Sequence, residues 1–227
     1  MHFLTTQDLP SMISTAIQSL EFLTMFIFGY CSFGVVYILI FAVASLRKGS
    51  TLRIPESSET KRRFAILIPC YKEDEVILDS ANHAYAQTYP KQAFDVFVLA
   101  DSLKHATIQK LEEIGISVIP INIPERTKAK ALKYAMNNIP QYYDSVVILD
   151  ADNIVEESFL EKLNSHLKSD YKVLQARRIA KEQYNSFAVV VAGSEELNNS
   201  IFRDGLIHLG RSASVIGSGM GVEFRSW

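Results

Sequence analysis

Two carboxylates set two residues apart, Asp150 and Asp152, follow the short apolar run Val146-Val147-Ile148-Leu149. A β-branched run of that length, bounded by polar residues, predicts a buried central strand of a parallel sheet. Ligands of open α/β sheets sit beyond the carboxyl ends of such strands. Asp150 and Asp152 can therefore present oxygens to one hard cation, Mg²⁺ or Mn²⁺. A diphosphate held on that cation would have its charge neutralised as it leaves. The competing reading is a loop that caps the next helix, because Asp and Asn are ordinary N-cap residues. Local sequence leaves both readings open.

The elements that must position these carboxylates show as an alternation of periods. Strands are expected at 64–69, at 94–99 running into Ala100-Asp101, at 117–121 and at 171–177, besides the one before Asp150. Between them, 73–87 places Ile77, Ala81, Ala84 and Tyr85 on one helical face. Helices are also expected at 105–114 and at 128–138, the latter burying Ala131, Leu132 and Ala135. Phe159, Leu160, Leu163 and Leu167 mark another, opened by Glu156 and Glu157, whose charges suit an N-terminal helix dipole. The stretch 186–209 reads as mostly helical, interrupted by Gly193 and Gly205. Strands alternating with helices predict βαβ units and a mostly parallel sheet. Such crossovers put the strand ends on one edge, where Tyr71, Glu73, Asp101 and Asp150 would cluster.

Composition adds limits. The 227 residues suffice for one sizeable domain and an appendage, and a net charge of −2 gives no reason to expect nucleic acid. The apolar content is concentrated in 22–46, which contains no charged residue. At 1.5 Å per residue, about 20 such residues cross the hydrocarbon core of a bilayer, so this is read as a transmembrane helix. Asp8 and Glu21 precede it; Arg47, Lys48, Arg53, Lys61, Arg62 and Arg63 follow it. The positive-inside rule then puts the N-terminus outside and the rest in the cytoplasm, at the plasma or inner membrane. A cleaved signal peptide would need a basic start and a shorter apolar core. The domain organisation expected is a short outer tail at 1–21, the span at 22–46, a basic linker at 47–63 and a domain from 64 to 227. The linker either lies against anionic headgroups or is a solvated tether. Cys31 falls in the span and Cys70 after a strand, so no disulfide is expected between them. The five histidines are scattered without zinc-ligand spacing, and no internal repeat is present.

Six segments together carry a resemblance. Ile68-Pro69-Cys70-Tyr71-Lys72-Glu73, Ala100-Asp101-Ser102, Lys128-Ala129-Lys130-Ala131-Leu132, Asp150-Ala151-Asp152 and the later Gln175-Ala176-Arg177 with Gly217-Ser218-Gly219-Met220 follow the order and approximate spacing of glycosyltransferase family 2. The resemblance runs from Phe64 to Phe224 and implies the GT-A fold. Its membrane-anchored side resembles the synthases of hyaluronan, cellulose and poly-N-acetylglucosamine, which implies a role in polysaccharide biosynthesis. It also implies a nucleotide-diphospho-sugar donor, of the UDP type, and a saccharide or lipid-linked acceptor.

Residue roles follow from the same resemblance. Tyr71 and Glu73 match the segment that frames the base, and a carboxylate there can accept the N–H of a uracil-like edge. Asp101 matches the acid that holds base or ribose, and Lys128 the lysine that approaches the donor phosphates as a mobile point charge. Asp150 and Asp152 match the metal and diphosphate pair, with Mg²⁺ or Mn²⁺ as cofactor. Gly219 and Met220 match an acceptor-side segment. Each also has a plainer local explanation: a turn for Tyr71 and Glu73, a loop for Asp101, a solvated helix face for Lys128, with Lys130 or Lys133 as substitutes. Lys72 and Lys133 stand where the family usually has Asn, and Cys70 where it has Ala. Inverting members need a carboxylate general base. That base lies in a Glu-Asp pair after the Gly-Ser-Gly-Met segment, ahead of a Gln-x-x-Arg-Trp motif. Here Trp227 comes seven residues after Met220, and Arg225-Ser226-Trp227 sits too early to be that motif. The expectation is a domain incomplete at its C-terminal end, with the base outside this chain. A non-catalytic nucleotide-sugar-binding subunit is the alternative. A sugar nucleotidyltransferase would show a Gly-rich basic loop after the first strand, which Pro69-Cys70-Tyr71 does not resemble.

Overall fold

Phe-Ala-Ile-Leu-Ile-Pro-Cys-Tyr, strand β1 (Phe64–Tyr71), is apolar on both faces because both faces are covered. Phe64, Ile66, Ile68 and Cys70 point into one core, Ala65 and Leu67 into the other, as a two-residue period requires. The first core is closed by α2 (Ile77–Tyr85), α3 (His105–Ile114) and α5 (Phe159–His166), the second by α4 (Lys128–Asn138). Ile66, Leu67 and Ile68 are fully buried, each contributing about 2 kcal/mol of apolar transfer free energy.

The computed structural model describes residues 9–46, 60–124, 126–167, 171–179 and 186–224. The Arg47, Lys48 and Arg53 cluster, most of the 47–63 linker, residues 1–8 of the tail and Arg225-Ser226-Trp227 lie outside the described residues. The described residues within 52–179 and 214–227 form one compact unit, and those within 1–51 and 180–213 form another.

In the first unit, β1 pairs in parallel with β2 (Phe94–Asp101) along its whole length, so that Tyr71 lies opposite Asp101. On its other side it pairs in parallel with β4 (Ser145–Ile148), and β2 pairs in parallel with β3 (Ser117–Pro120). The sheet is completed by β6 (Met220–Glu223) and β5 (Val173–Gln175), both antiparallel, in the order β3-β2-β1-β4-β6-β5. This is the mixed, mostly parallel α/β sheet that the alternation predicts. Two local differences have physical reasons. Helix α2 starts at Ile77 rather than 73, because the chain first turns through Lys72 at φ 56° to bond its N–H to the Asp101 carbonyl at 3.1 Å. Strand β6 has no apolar alternation to announce it: Gly221 lies under α5, where a Cβ would come 2.7 Å from Leu163 Cδ2.

The second unit is built on α1 (Leu9–Ser45), which starts well before residue 22. Its stretch Met12–Ser45 is, among the described residues, the one helix long and apolar enough to cross a membrane by length and composition. Phe22, Phe26, Phe28 and Tyr30 on it are all exposed. The expected helix 186–209 is divided into α6 (Ser186–Asn199), a π-helical turn Ser200–Asp204 and α7 (Gly205–His208). Gly205 presses on the Phe41 backbone, where a Cβ would lie 2.6 Å from the carbonyl oxygen. Buried Arg203 donates to Asn199 Oδ1 one turn earlier.

Candidate functional site

The parallel strands β1, β2 and β4 all finish at one edge, and a cleft of about 580 Å³ opens there. Tyr71, Glu73, Asp101, Lys128, Asp150 and Asp152 line it. They come from five places in the chain: the end of β1, the turn after it, the end of β2, the first turn of α4 and the turn after β4. Of the three neighbouring lysines, Lys128 alone is among the lining residues; Lys130 and Lys133 are not. Gly219 and Met220 do not line the cleft either. Gly219 N–H bonds the Ile148 carbonyl at 2.8 Å, and Met220 begins β6 and packs against the core on the α4 side.

Backbone conformation aims these side chains. Lys72 and Ser102, each directly after a strand end, have φ of 56° and 62°, in the left-handed region that non-glycine residues enter at a cost. Both strands thereby turn sharply away, leaving Tyr71 and Asp101 at the rim. Asp74 fixes the far side of the turn by accepting from Lys104 N–H at 2.9 Å and from Thr107 Oγ1 at 2.6 Å. Those bonds, the Thr107 hydroxyl first, hold the Asp74 carboxyl below its ordinary range. Helix α4 opens at Thr127, whose side chain accepts from Lys130 N–H, and has no acidic residue in its first turn. Its positive end and the Lys128 ammonium therefore face the cleft together, a combination suited to anions.

The charges are arranged in two groups. Lys128 Nζ pairs with Asp150 Oδ1 and donates to the Gly217 carbonyl at 2.8 Å. Arg126 pairs with Asp101 at 3.4 Å and donates to Ser102 Oγ at 3.2 Å. Asp101 is nearly buried while its partner is half-exposed, so Arg126 closes over it from the solvent side. Glu73 is held above the usual carboxylate range, first by desolvation and then by the negative charges of Asp152 and Asp150. The Tyr71 phenol is lowered, chiefly by a hydrogen bond from Lys72, whose ammonium also lies 5.1 Å from the ring centre. Burial pushes the Cys70 thiol up to about 12, so it is a packing residue of the cleft floor.

A divalent cation fits this donor set. Asp150 and Asp152 stand on one turn, and Glu73 feels the field of both. No group of three His, Cys, Asp or Glu ligands converges among the described residues; Mg²⁺ or Mn²⁺ on Asp150 and Asp152 would take its remaining ligands from water and phosphate oxygens. Sequence reasoning missed Arg126, whose only signal is a basic residue two places before Lys128. It also gave no role to Ser218, which is fully buried beside the carboxylate turn.

Among solved structures, the chain is similar to the mannosyltransferase PcManGT from Pyrobaculum calidifontis in complex with GDP-Man and Mn2+. The identity is 21%, the match covers 63% of this chain and 43% of that one, and the TM-score is 0.51. It is also similar to TarS from S. aureus in complex with UDP-GlcNAc, at 19% identity over 54% of this chain and 36% of that one, TM-score 0.45. A third similarity is to glucosyl-3-phosphoglycerate synthase from Mycobacterium tuberculosis in complex with Mn2+ and UDP-Glc, at 15% identity over 72% and 57%, TM-score 0.46. In each case this chain spans less than two thirds of the other's length. No curated protein matches the chain. The six-stranded, mostly parallel α/β sheet and the first of these similarities show the GT-A fold. Residues 62–226 match the family model described as Glycosyltransferase like family 2, and the chain belongs to that family of glycosyltransferases.

Proposed function

We propose that the domain binds a UDP-sugar through a divalent cation on Asp150 and Asp152, and that its enzyme transfers the sugar with inversion to an acceptor hydroxyl. The reading is supported above all by the convergence of Tyr71, Glu73, Asp101, Lys128, Asp150 and Asp152 on one cleft at the strand ends. Glu73 and Asp101 accept from the nucleoside, the Tyr71 ring covers it, and Arg126 holds Asp101 in place. The cation supplies charge neutralisation for the diphosphate when bound. Lys128 adds a second positive charge that follows the β-phosphate as the anomeric C–O bond breaks. The acceptor oxygen forms the new bond from the opposite face in one displacement. The hydroxyl proton passes to a carboxylate general base, which the step requires besides the cleft carboxylates assigned to the donor. Gly219 and Met220 shape the acceptor side through the loop that carries them.

Helix α1 is proposed as the membrane anchor, with the N-terminus outside, the basic 47–63 segment inside and the catalytic domain in the cytoplasm. Its length, apolar composition and exposed surface support this. An acceptor that is a growing saccharide or lipid-linked would then be met at the membrane, as in polysaccharide synthesis.

The test is calorimetric titration of UDP into the detergent-solubilised chain with and without Mn²⁺. Binding is expected only with the metal, and Asp150→Ala or Asp152→Ala is expected to weaken it about 100-fold, the cost of removing one partner from a close charge contact. Metal-independent UDP binding, or variants that bind as the parent does, would overturn the assignment. Binding of GDP in place of UDP would correct the nucleotide and leave the cleft assigned.

A further inference from the structure

The turn that bears Asp150 and Asp152 is held from behind by a loop that does not line the cleft. Strand β4 ends at Ile148, so the Asp150 N–H lies past the end of the ladder. It finds its acceptor in Ser218 Oγ, at 2.9 Å. The same oxygen accepts from Asn153 Nδ2, at the other end of the turn. Ser218 is completely buried, and its oxygen therefore has both lone pairs committed to the two ends of the Asp150–Asn153 turn.

The loop is itself fixed. Gly217 and Gly219 flank Ser218 with φ of 73° and 65°, a double left-handed turn that glycine adopts at little cost. Gln175, at the end of β5, donates to the Ser218 carbonyl at 2.7 Å and accepts from Ile216 N–H at 3.1 Å. Gly219 N–H is tied to β4 through the Ile148 carbonyl. The Gly217 carbonyl holds the Lys128 ammonium that also pairs with Asp150. One short segment thus touches the carboxylate turn and the lysine of the cleft from outside it.

We propose that Ser218 is a positioning residue for the cation site: its hydroxyl fixes the turn that aims Asp150 and Asp152 into the cleft. The proposal rests on the assignment of those two carboxylates as cation ligands. Replacing Ser218 by Ala removes the acceptor of two donors, one of them the backbone of a ligand residue. Thr keeps the oxygen. Asn153→Ala removes one of the two bonds from the cleft side and leaves the loop intact.

The experiment is an electron paramagnetic resonance titration of free Mn²⁺ against the full chain, without nucleotide and without turnover, alongside thermal denaturation. Ser218→Ala is expected to weaken Mn²⁺ binding about threefold to tenfold and to alter the bound-ion spectrum, the scale of one lost buried hydrogen bond. Ser218→Thr should restore both, and Asn153→Ala should weaken binding about threefold on the same scale. Leu111→Ala, a core change on the α3 side, should lower the melting temperature and leave Mn²⁺ affinity alone. A folded Ser218→Ala chain with parental Mn²⁺ affinity and spectrum overturns the proposal. If that variant does not fold, parental affinity in Asn153→Ala overturns it instead. A parent chain that binds no Mn²⁺ overturns the cation assignment and this proposal together. Binding that is lost in Asp150→Ala but unchanged in the Ser218 and Asn153 variants overturns this proposal alone.

Discussion

The two halves of the sheet divide the work of the site unequally. The parallel half, β3-β2-β1-β4, sends side chains into the cleft from the ends of its buried strands. The antiparallel half, β6 and β5 with the loop that leads into β6, sends none; it contributes backbone, one buried hydroxyl and a glutamine amide. The side chains that line the cleft stand on or just past the ends of buried strands and at the start of α4, elements deep enough to be rigid, as pre-organisation requires. The short strands supply a brace, whose effect reaches the cleft through hydrogen bonds.

The sharpest way to break this division is Gly221→Ala in β6. A Cβ there would sit 2.7 Å from Leu163 Cδ2, so β6 or α5 must shift. The expected loss is about 1–3 kcal/mol of stability, the usual range for overpacking. Urea denaturation would measure it, and pairing the change with Leu163→Ala should give back part of the loss. If the antiparallel half is only a brace, Mn²⁺ affinity should fall with it.

Lys128→Met tests the other side of the comparison. The ammonium now pairs with Asp150, so its removal should tighten Mn²⁺ binding in the absence of nucleotide. UDP binding with Mn²⁺ should instead weaken about tenfold, the scale of one charge-assisted contact. Opposite signs in the two calorimetric titrations are the expected result.

A smaller effect comes from the strand ends. Lys72 holds φ 56°, where asparagine is tolerated far better than lysine. Lys72→Asn should therefore stabilise the domain by about 0.5–1 kcal/mol, read as a higher urea midpoint.

The smallest expected effect is on pH dependence. Glu73 is raised above its ordinary 4.5 by desolvation and by Asp152 and Asp150. The native state therefore binds this proton more tightly than the unfolded chain. Its contribution to stability is fully present below 4.5 and is lost as pH rises through the raised value. Relative to the parent, metal-free Glu73→Gln should melt slightly higher at neutral pH and equally at pH below 4.5, and Mn²⁺ should shrink the difference.

Legibility in the sequence follows the same division. Where apolar runs were long, their bounds could be read closely: β1, β2, α3 and α4 begin where the patterns begin. Topology then brings Tyr71, Glu73, Asp101, Lys128 and Asp150 to one edge, as parallel crossovers require. Strand β6 was illegible because Gly219 and Gly221 give it the composition of a loop; only its partners β4 and β5 make it a strand. The π turn at Ser200–Asp204 leaves no periodic trace, since one extra residue merely shifts the helical face. Ser218 could not be singled out because a buried hydroxyl gains its meaning from partners about 65 residues away in sequence.

Cys70 has a practical consequence. Its thiol is buried and stays protonated far above neutral pH. The sequence holds only one other cysteine, Cys31, which is exposed on α1. A thiol-reactive spin or fluorescent probe applied to the folded, unmodified chain would therefore attach at one position in the apolar helix. The protein carries its own reporter of where that helix resides, one that distinguishes lipid from water through the spectrum of the attached label.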